Sequence, residues 1–305
     1  MSILKKSIYL GLSLAALCIL SGCGSTEDKN TEVSTDISTE ASSTESAHEE
    51  DRIVALSVSL VDILAELDVD MVGVPTSQYD LNEKVADVTQ VGLSMSPDVE
   101  LIATLNPTHV LSLTTLESMV GDKFTQAGIT PTYLNVENID TLKESITTLG
   151  DMFDRQEEAQ ELVADFEADI HETIQSVADK EAPKVLVLFG FPGNYLVGTS
   201  TSFVGQLSEM LGAENVVKDN SSAYASVNLE ALVVEQPDVI LRLTHGVKDE
   251  VLEMFDKEFK ENPIWSQFDA VKNGKVYDLD DSLFNVSASL DSALALEELS
   301  KILYE

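Results

Sequence analysis

A fourteen-residue pattern occurs twice in this chain, and it limits the possible folds more than any other feature. Residues 98–111 (DVELIATLNPTHVL) recur 130 positions later as residues 228–241 (NLEALVVEQPDVIL), so that Glu100 maps on Glu230 and Pro107 on Pro237. In both copies an Asp or Asn stands where it can cap a short helix, and the helix ends before a proline and feeds a hydrophobic strand. The same helix-to-strand unit at matching places in two halves implies a duplicated α/β lobe.

The surrounding pattern agrees. From Arg52 onward, short β-branched runs alternate with amphipathic helical stretches. Strands are expected at Arg52–Leu56, Met71–Val74, His109–Leu113 and Thr132–Val136, and helices at Leu60–Leu67, Asp98–Leu105, Leu116–Ala127 and Ile139–Met152. Such alternation gives a parallel sheet covered by helices. The period then breaks. Residues 154–179 contain neither glycine nor proline and carry Leu162, Val163, Phe166, Ile170 and Ile174 at helical spacing, which describes one long amphipathic helix closed by Pro183. Alternation restarts with a strand at Lys184–Phe189, includes a strand at Val239–Leu243, and runs to a final helix near Ser289–Leu303. The expected class is α/β, with two Rossmann-like lobes, each a mostly parallel sheet flanked by helices. The N-terminal lobe spans 51–153, the connecting helix 154–182 and the C-terminal lobe 183–305.

The amino end is of a different kind. Lys5 and Lys6 precede a mostly apolar run from Ile8 to Leu20, followed by Leu20-Ser21-Gly22-Cys23. Thirteen helical residues cover about 20 Å, short of the roughly 30 Å hydrocarbon core, so residues 1–22 read as a cleaved lipoprotein signal peptide. The small residues Ser21 and Gly22 suit processing, and the Cys23 thiol can carry a diacylglyceryl group. Residues 23–50 are Ser, Thr, Glu, Asp and Ala with scarcely an apolar side chain, the composition of a disordered tether. This architecture predicts an extracytoplasmic protein lipid-anchored to the outer face of the cell membrane, of the Gram-positive type. The other cysteine, Cys18, falls within the signal, so the mature chain has no disulfide and depends on its apolar core.

Net charge is −36, two units more negative once Lys5 and Lys6 are removed. Three arginines, Arg52, Arg155 and Arg242, leave no basic face for phosphate backbones, which excludes nucleic acid as a partner. Enzymatic motifs are absent: there is no Gly-x-Ser-x-Gly elbow and no phosphate-binding loop, and no mature cysteine other than Cys23. The expectation is a binding protein and not an enzyme.

Two lobes joined by one long helix and exported with a lipid anchor resemble the rigid-backbone class of periplasmic-binding-type proteins that serve ABC importers of siderophores, cobalamin and haem. The resemblance covers residues 51–305. It is more specific to haem-binding lipoproteins of iron-uptake systems in the segments Val91–Glu100 and Leu241–Gly246. It implies haem b as the transported ligand, with Met95 and His245 as axial ligands of the iron, one from each lobe. It also implies an ABC permease and its ATPase as partners, an upstream cell-surface haem donor, and a monomeric carrier. Glu100 and Glu230 take the places at which the family docks on basic residues of the permease, although glutamate also favours the first turn of a helix for electrostatic reasons.

The residues offer a separate case for the same pair. A soft neutral thioether and a neutral imidazole together suit both axial positions of haem iron. Met95 lies in a Gly/Ser/Pro-containing loop just before the helix at Asp98, where helix packing would not account for it. His245 lies just past the strand Val239–Leu243. Ligands of open α/β sheets bind beyond the carboxyl ends of strands, so both could face one interlobe cleft. Among the other histidines, His109 aligns with Val239 and is expected in the core, His171 is expected to be solvated on the connecting helix, and His48 lies in the tether. The two haem propionates would need helix N-termini and hydroxyls. Candidates are Ser57 and Ser59 before the first helix, Thr76 and Ser77 after the second strand, and Thr199, Ser200, Thr201 and Ser202 before a helix toward Leu211; the same residue types also act as simple N-caps. Apolar walls could come from Val58, Tyr79, Tyr195, Tyr224, Leu283 and Phe284, any of which could equally be core. The alternatives are a ferric siderophore or corrinoid carrier of the same fold, which would draw on the few cations, and a tethered surface adhesin.

Overall fold

The computed structural model describes residues 51–77, 81–218 and 221–305. The N-terminal lobe runs β1 (Ile53–Ala55), α1 (Val58–Glu66), β2 (Gly73–Val74), β3 (Thr89–Gln90), β4 (Gly92–Leu93), β5 (Ser96–Pro97), α2 (Val99–Thr104), β6 (His109–Leu113), α3 (Glu117–Gln126), β7 (Thr132–Leu134) and α4 (Ile139–Met152). Then α5 (Gln156–Val177) leads to the C-terminal lobe: β8 (Lys184–Phe191), β9 (Asn194–Gly198), α6 (Phe203–Met210), β10 (Glu214–Asn215), β11 (Tyr224–Ala225), α7 (Leu229–Glu235), β12 (Val239–Thr244), α8 (Lys248–Glu261), α9 (Asp269–Lys272), β13 (Val276–Asp278) and α10 (Ser292–Tyr304).

The first sheet has the order β3-β2-β1-β6-β7 and is parallel throughout. The second has the order β11-β9-β8-β12-β13, with β10 beside the start of β8. It is parallel at β8, β10, β12 and β13, and antiparallel where β8 folds back into β9 and β9 meets β11. Strands sandwiched between helices are buried on both faces and mostly apolar, with Arg242 and Thr244 the polar residues of β12. All three residues of β1 and all six of β12 are buried. The α/β class with two sheet-containing lobes is therefore as the sequence indicated; the β4–β5 and β8–β9 hairpins and the short strands β3, β10, β11 and β13 are additions.

The repeat is duplicated down to its backbone angles. The Asp98 carboxylate accepts from Leu101 N at 2.9 Å and the Asn228 amide oxygen from Ala231 N at 3.2 Å, capping α2 and α7 at the same step. Asn106 and Gln236, each just before its proline, both sit at φ 47°. Proline disfavours the right-handed helical region in the residue before it, so the chain exits each helix through the left-handed region. Asn tolerates that region, whereas Gln does not do so readily. The Gln236 side chain is held across the turn, its Nε2 donating to Gln267 O at 3.2 Å and its Oε1 accepting from Asp269 N at 3.0 Å.

The connecting helix α5 is 22 residues long, about 33 Å at 1.5 Å per residue. It starts two residues later than its composition suggests because Asp154 adopts φ 55° and Arg155 becomes the N-cap. Its buried stripe is Ala159, Phe166, Ile170, Thr173 and Val177. One apolar core runs through this stripe from β1, α1 and α4 in the first lobe to α6, β8, β12 and α10 in the second. A direct tie joins them as well: Ala288 N donates to Val136 O at 2.8 Å. One expectation fails here. His109 is not a core residue, because the amino end of β6 emerges at the lobe surface, where Nε2 lies 3.5 Å from Asp51 and the ring stands edge-on to Phe153 at 5.3 Å. His171 is exposed. Among the described residues, no helix is long and apolar enough to cross a membrane.

Where α1 of one lobe approaches α10 of the other, Asp62 is half-buried. Burial first, then the charges of Asp291 and Glu66, push its carboxyl up from 3.8 to about 6. The folded protein thus keeps this proton up to about pH 6, whereas the unfolded chain releases it near 3.8. The stabilisation from the bound proton is lost as pH rises through that window. Asp62→Asn is therefore expected to raise the thermal midpoint at pH 7.5, with the gain fading as pH falls toward 4. A gain that stayed constant with pH would contradict this.

Candidate functional site

Met95 sits at the tip of a hairpin. Gly92 pairs with Pro97 and Leu93 with Ser96, which leaves Ser94 and Met95 as the turn. Two backbone bonds tie the hairpin to the lobe, Val91 N to Val74 O and Thr76 N to Gly92 O, and a third, Asp98 N to Val91 O, closes its base, each 2.8 Å. Gly92 has φ 93°, and a Cβ there would come within 3.1 Å of both Asp98 N and Ser96 O, so the tight base requires glycine. The result is a thioether held out on a braced arm, with Met95 59% exposed.

His245 comes from the second lobe, immediately past the carboxyl end of β12. Its N–H donates to Gly190 O at 2.8 Å, which extends the β8–β12 ladder by one bond and fixes where the side chain leaves the sheet. The imidazole is solvent-exposed and lies 5.6 Å from the Phe189 ring, which stacks on Tyr224 at 4.3 Å. Burial pushes the Tyr224 phenol up to about 12, so it remains neutral.

Met95 and His245 meet across a cavity of about 250 Å³ between the lobes. Phe284, Val286 and Leu243 give it apolar walls, and Thr244, Asp281 and Asn285 add polar atoms. The Thr244 hydroxyl is buried and makes no hydrogen bond within the protein. Such a group costs about 1–3 kcal/mol unless something else pairs with it. A thioether and an imidazole lining one apolar-walled cavity form a donor set suited to a planar iron complex with two open axial positions.

The remaining candidates divide. Val58 and Ser59 lie half-buried in the first turn of α1, where the N-terminal cap is already filled by Ser57, whose hydroxyl accepts from Leu60 N at 3.2 Å. Thr76 is exposed and Ser77 half-buried beyond β2, at the same carboxyl edge. Thr201 is exposed, its hydroxyl 2.9 Å from that of Thr199. Phe284 is a core residue, 1% exposed, whose side also lines the cavity, and the neighbouring Leu283 is half-buried against the same core. Glu100 and Glu230 are exposed in the first turns of α2 and α7. Tyr79 and Cys23 lie outside the described residues.

Two expectations are corrected. Ser202 is 1% exposed and fully engaged in capping α6, donating to Thr199 O at 2.7 Å and accepting from Gly205 N at 3.2 Å, so it is an N-cap and not a ligand donor. Tyr195 lies opposite Gly190 on the β8–β9 hairpin and faces α8. It packs on Phe255 and Trp265 at 5.7 and 6.4 Å, and its hydroxyl donates to Glu258 at 3.0 Å. Strand alternation puts it in the core behind the sheet, away from the cavity.

Arg242, a cation open to an anionic ligand as far as the sequence shows, is also committed. Its guanidinium forks onto Asp278 at 2.5 and 2.7 Å, reaches Asp256 at 3.0 Å, and lies over the rings of Phe255 and Phe259. Sequence reasoning took Leu283 and Phe284 from the segment 281–286 but not Asp281 or Asn285, which line the same cavity. The available signal was its position directly after β13, at the same carboxyl edge as His245.

Two α/β lobes, with residues of both lining one cavity, have the architecture of a solute-binding protein. The chain belongs to the periplasmic binding protein family, which its residues 53–283 match. Among curated relatives, the high-affinity haem uptake system protein IsdE of Staphylococcus aureus is 38% identical over 299 residues, 97% of each chain. An ABC transporter substrate-binding protein from Listeria monocytogenes superposes with TM-score 0.80 at 44% identity, over 84% of this chain and 99% of that one. The structure of S. aureus IsdE complexed with haem superposes with TM-score 0.79 at 40% identity, over 84% and 100%.

The exposure of the hairpin tip has a direct chemical readout. Dilute hydrogen peroxide is expected to convert Met95 and the similarly exposed Met119 (51%) to sulfoxides well before Met71 (8%), as followed by peptide mass spectrometry. Oxidation of Met71 at the same rate as Met95 would show that the tip is not held out as described.

Proposed function

We propose that this protein captures haem in the interlobe cavity, with Met95 and His245 as the two axial ligands, and delivers it to an ABC importer. The observation that carries this reading is the convergence of a thioether from one lobe and an imidazole from the other on one apolar-walled cavity. The relation to a haem-uptake protein over nearly the whole chain supports the choice of ligand. Phe284, Val286 and the Phe189–Tyr224 stack provide apolar surface for a macrocycle, and the α1 N-terminus with Ser59, Thr76 and Ser77 provides donors for propionates on the opposite lobe. Cys23 carries the lipid anchor. Glu100 and Glu230, fixed in spacing by a core shared between the lobes, present a pair of charges to the permease, which favours orientation and encounter rate. With a Met/His pair filling both axial positions, the bound haem would have no open coordination position for peroxidase-type chemistry, which fits a carrier.

Haemin titration of the purified protein is expected to give a saturable one-to-one Soret band with low-spin, six-coordinate features. Met95→Ala and His245→Ala should each weaken binding at least about tenfold, which is about 1.4 kcal/mol, and shift the band. Variants indistinguishable from the wild type would remove the assignment of the ligands, and a wild type without a saturable band would remove the function.

A further inference from the structure

The chain is strongly acidic, and a ligand bearing carboxylates must find positive charge near the cavity or be repelled from it. Most cations of the described residues with a recorded partner are engaged well away from this site. Arg52 donates to Leu105 O, Arg242 is held by Asp278 and Asp256, and Lys84, Lys143, Lys218, Lys272 and Lys301 pair with carboxylates of their own neighbourhoods. Lys248 differs. Its Nζ lies 2.5 Å from the carboxylate of Asp281, and Asp281 lines the cavity that holds Met95 and His245.

The position of Lys248 is not explained by its own helix. It is the first residue of α8, where the helix dipole favours negative charge, as the following Asp249 and Glu250 illustrate. No side chain caps that end. Lys248 also follows His245 by only three residues, with Gly246 at φ 88° turning the chain between them. The imidazole of His245 and a cation therefore leave the sheet edge from one short stretch. The lysine side chain is 45% exposed and the aspartate, on the cavity wall, 20%.

We propose that the Lys248–Asp281 pair is an exchangeable latch at the cavity mouth: on binding, Lys248 leaves Asp281 for a carboxylate of the ligand. This rests on the haem reading, in which the carboxylate is a propionate. Asp281 then has two effects on the empty protein. It holds the lysine in place, and it competes with the incoming carboxylate for the same ammonium. The latch selects ligands that carry an anionic group at the edge of an otherwise apolar, iron-centred body.

The test compares haemin with haemin dimethyl ester, whose propionates are uncharged, on purified wild type, Lys248→Met and Asp281→Asn. Both substitutions are at partly exposed positions, and thermal melts establish that the variants are folded. Lys248→Met should weaken haemin binding about tenfold and leave the ester unaffected. Asp281→Asn should tighten haemin severalfold, a gain that disappears when Lys248→Met is added. Equal losses for haemin and ester in Lys248→Met, or haemin affinity unchanged in both variants, would overturn the latch while the wild-type Soret titration still stood. Absence of a saturable band in the wild type would overturn the haem reading and the latch with it.

Discussion

A single apolar core passes from one lobe to the other, and the geometry of the cavity depends on that continuity. The buried stripe of α5 packs with α4 on one side and α10 on the other, and α6 and β8 complete the contact from the second sheet. Cores of this density resist small displacements, since each methylene group has neighbours on every side. The tip of the β4–β5 hairpin and the end of β12 belong to different lobes. They can present a sulfur and a nitrogen to one cavity only if the lobes keep a fixed separation, and the shared core together with the Ala288 to Val136 bond supplies that constraint. The fold therefore favours a small adjustment on binding over wide hinge closure.

The chemistry of the site follows from what the rest of the chain cannot offer. With 54 acidic residues against 18 basic ones, the protein cannot surround an anionic ligand with positive charge. Its Arg242 is already neutralised in a two-aspartate, two-phenylalanine cluster behind the sheet. On the proposed reading, a thioether, an imidazole and apolar walls hold the metal complex, and charge recognition falls to the rim, where Lys248 pairs with Asp281.

Much of this order was legible in the sequence because it rests on local rules. The 3.6-residue period and the Asn138 capping box define α4 at Ile139–Met152, where the sequence placed it. The apolar run His109–Leu113 is β6. The repeat announced equivalent caps and proline exits, which recur with identical φ at Asn106 and Gln236. What was not legible depends on partners distant in the chain. Nothing local says that Tyr195 pairs with Glu258, that Ser202 turns its hydroxyl back on Thr199, or that the amino end of β6 exposes His109 to Asp51. The Met95 segment read as a loop because a two-residue pairing on each side leaves no periodic trace. Lys248 and Asp281 stand 33 residues apart and meet only because β12 and β13 are parallel neighbours whose carboxyl ends share one edge.

The central claim is that one iron atom is held by both lobes at once, and a crystal structure of the haem complex tests it most directly. The account predicts iron between the hairpin tip and the end of β12, bonded to Met95 sulfur on one face and His245 nitrogen on the other, with the backbone of both lobes little changed. Iron bound by a side chain of one lobe alone, or a ligand seated outside this cavity, would contradict it.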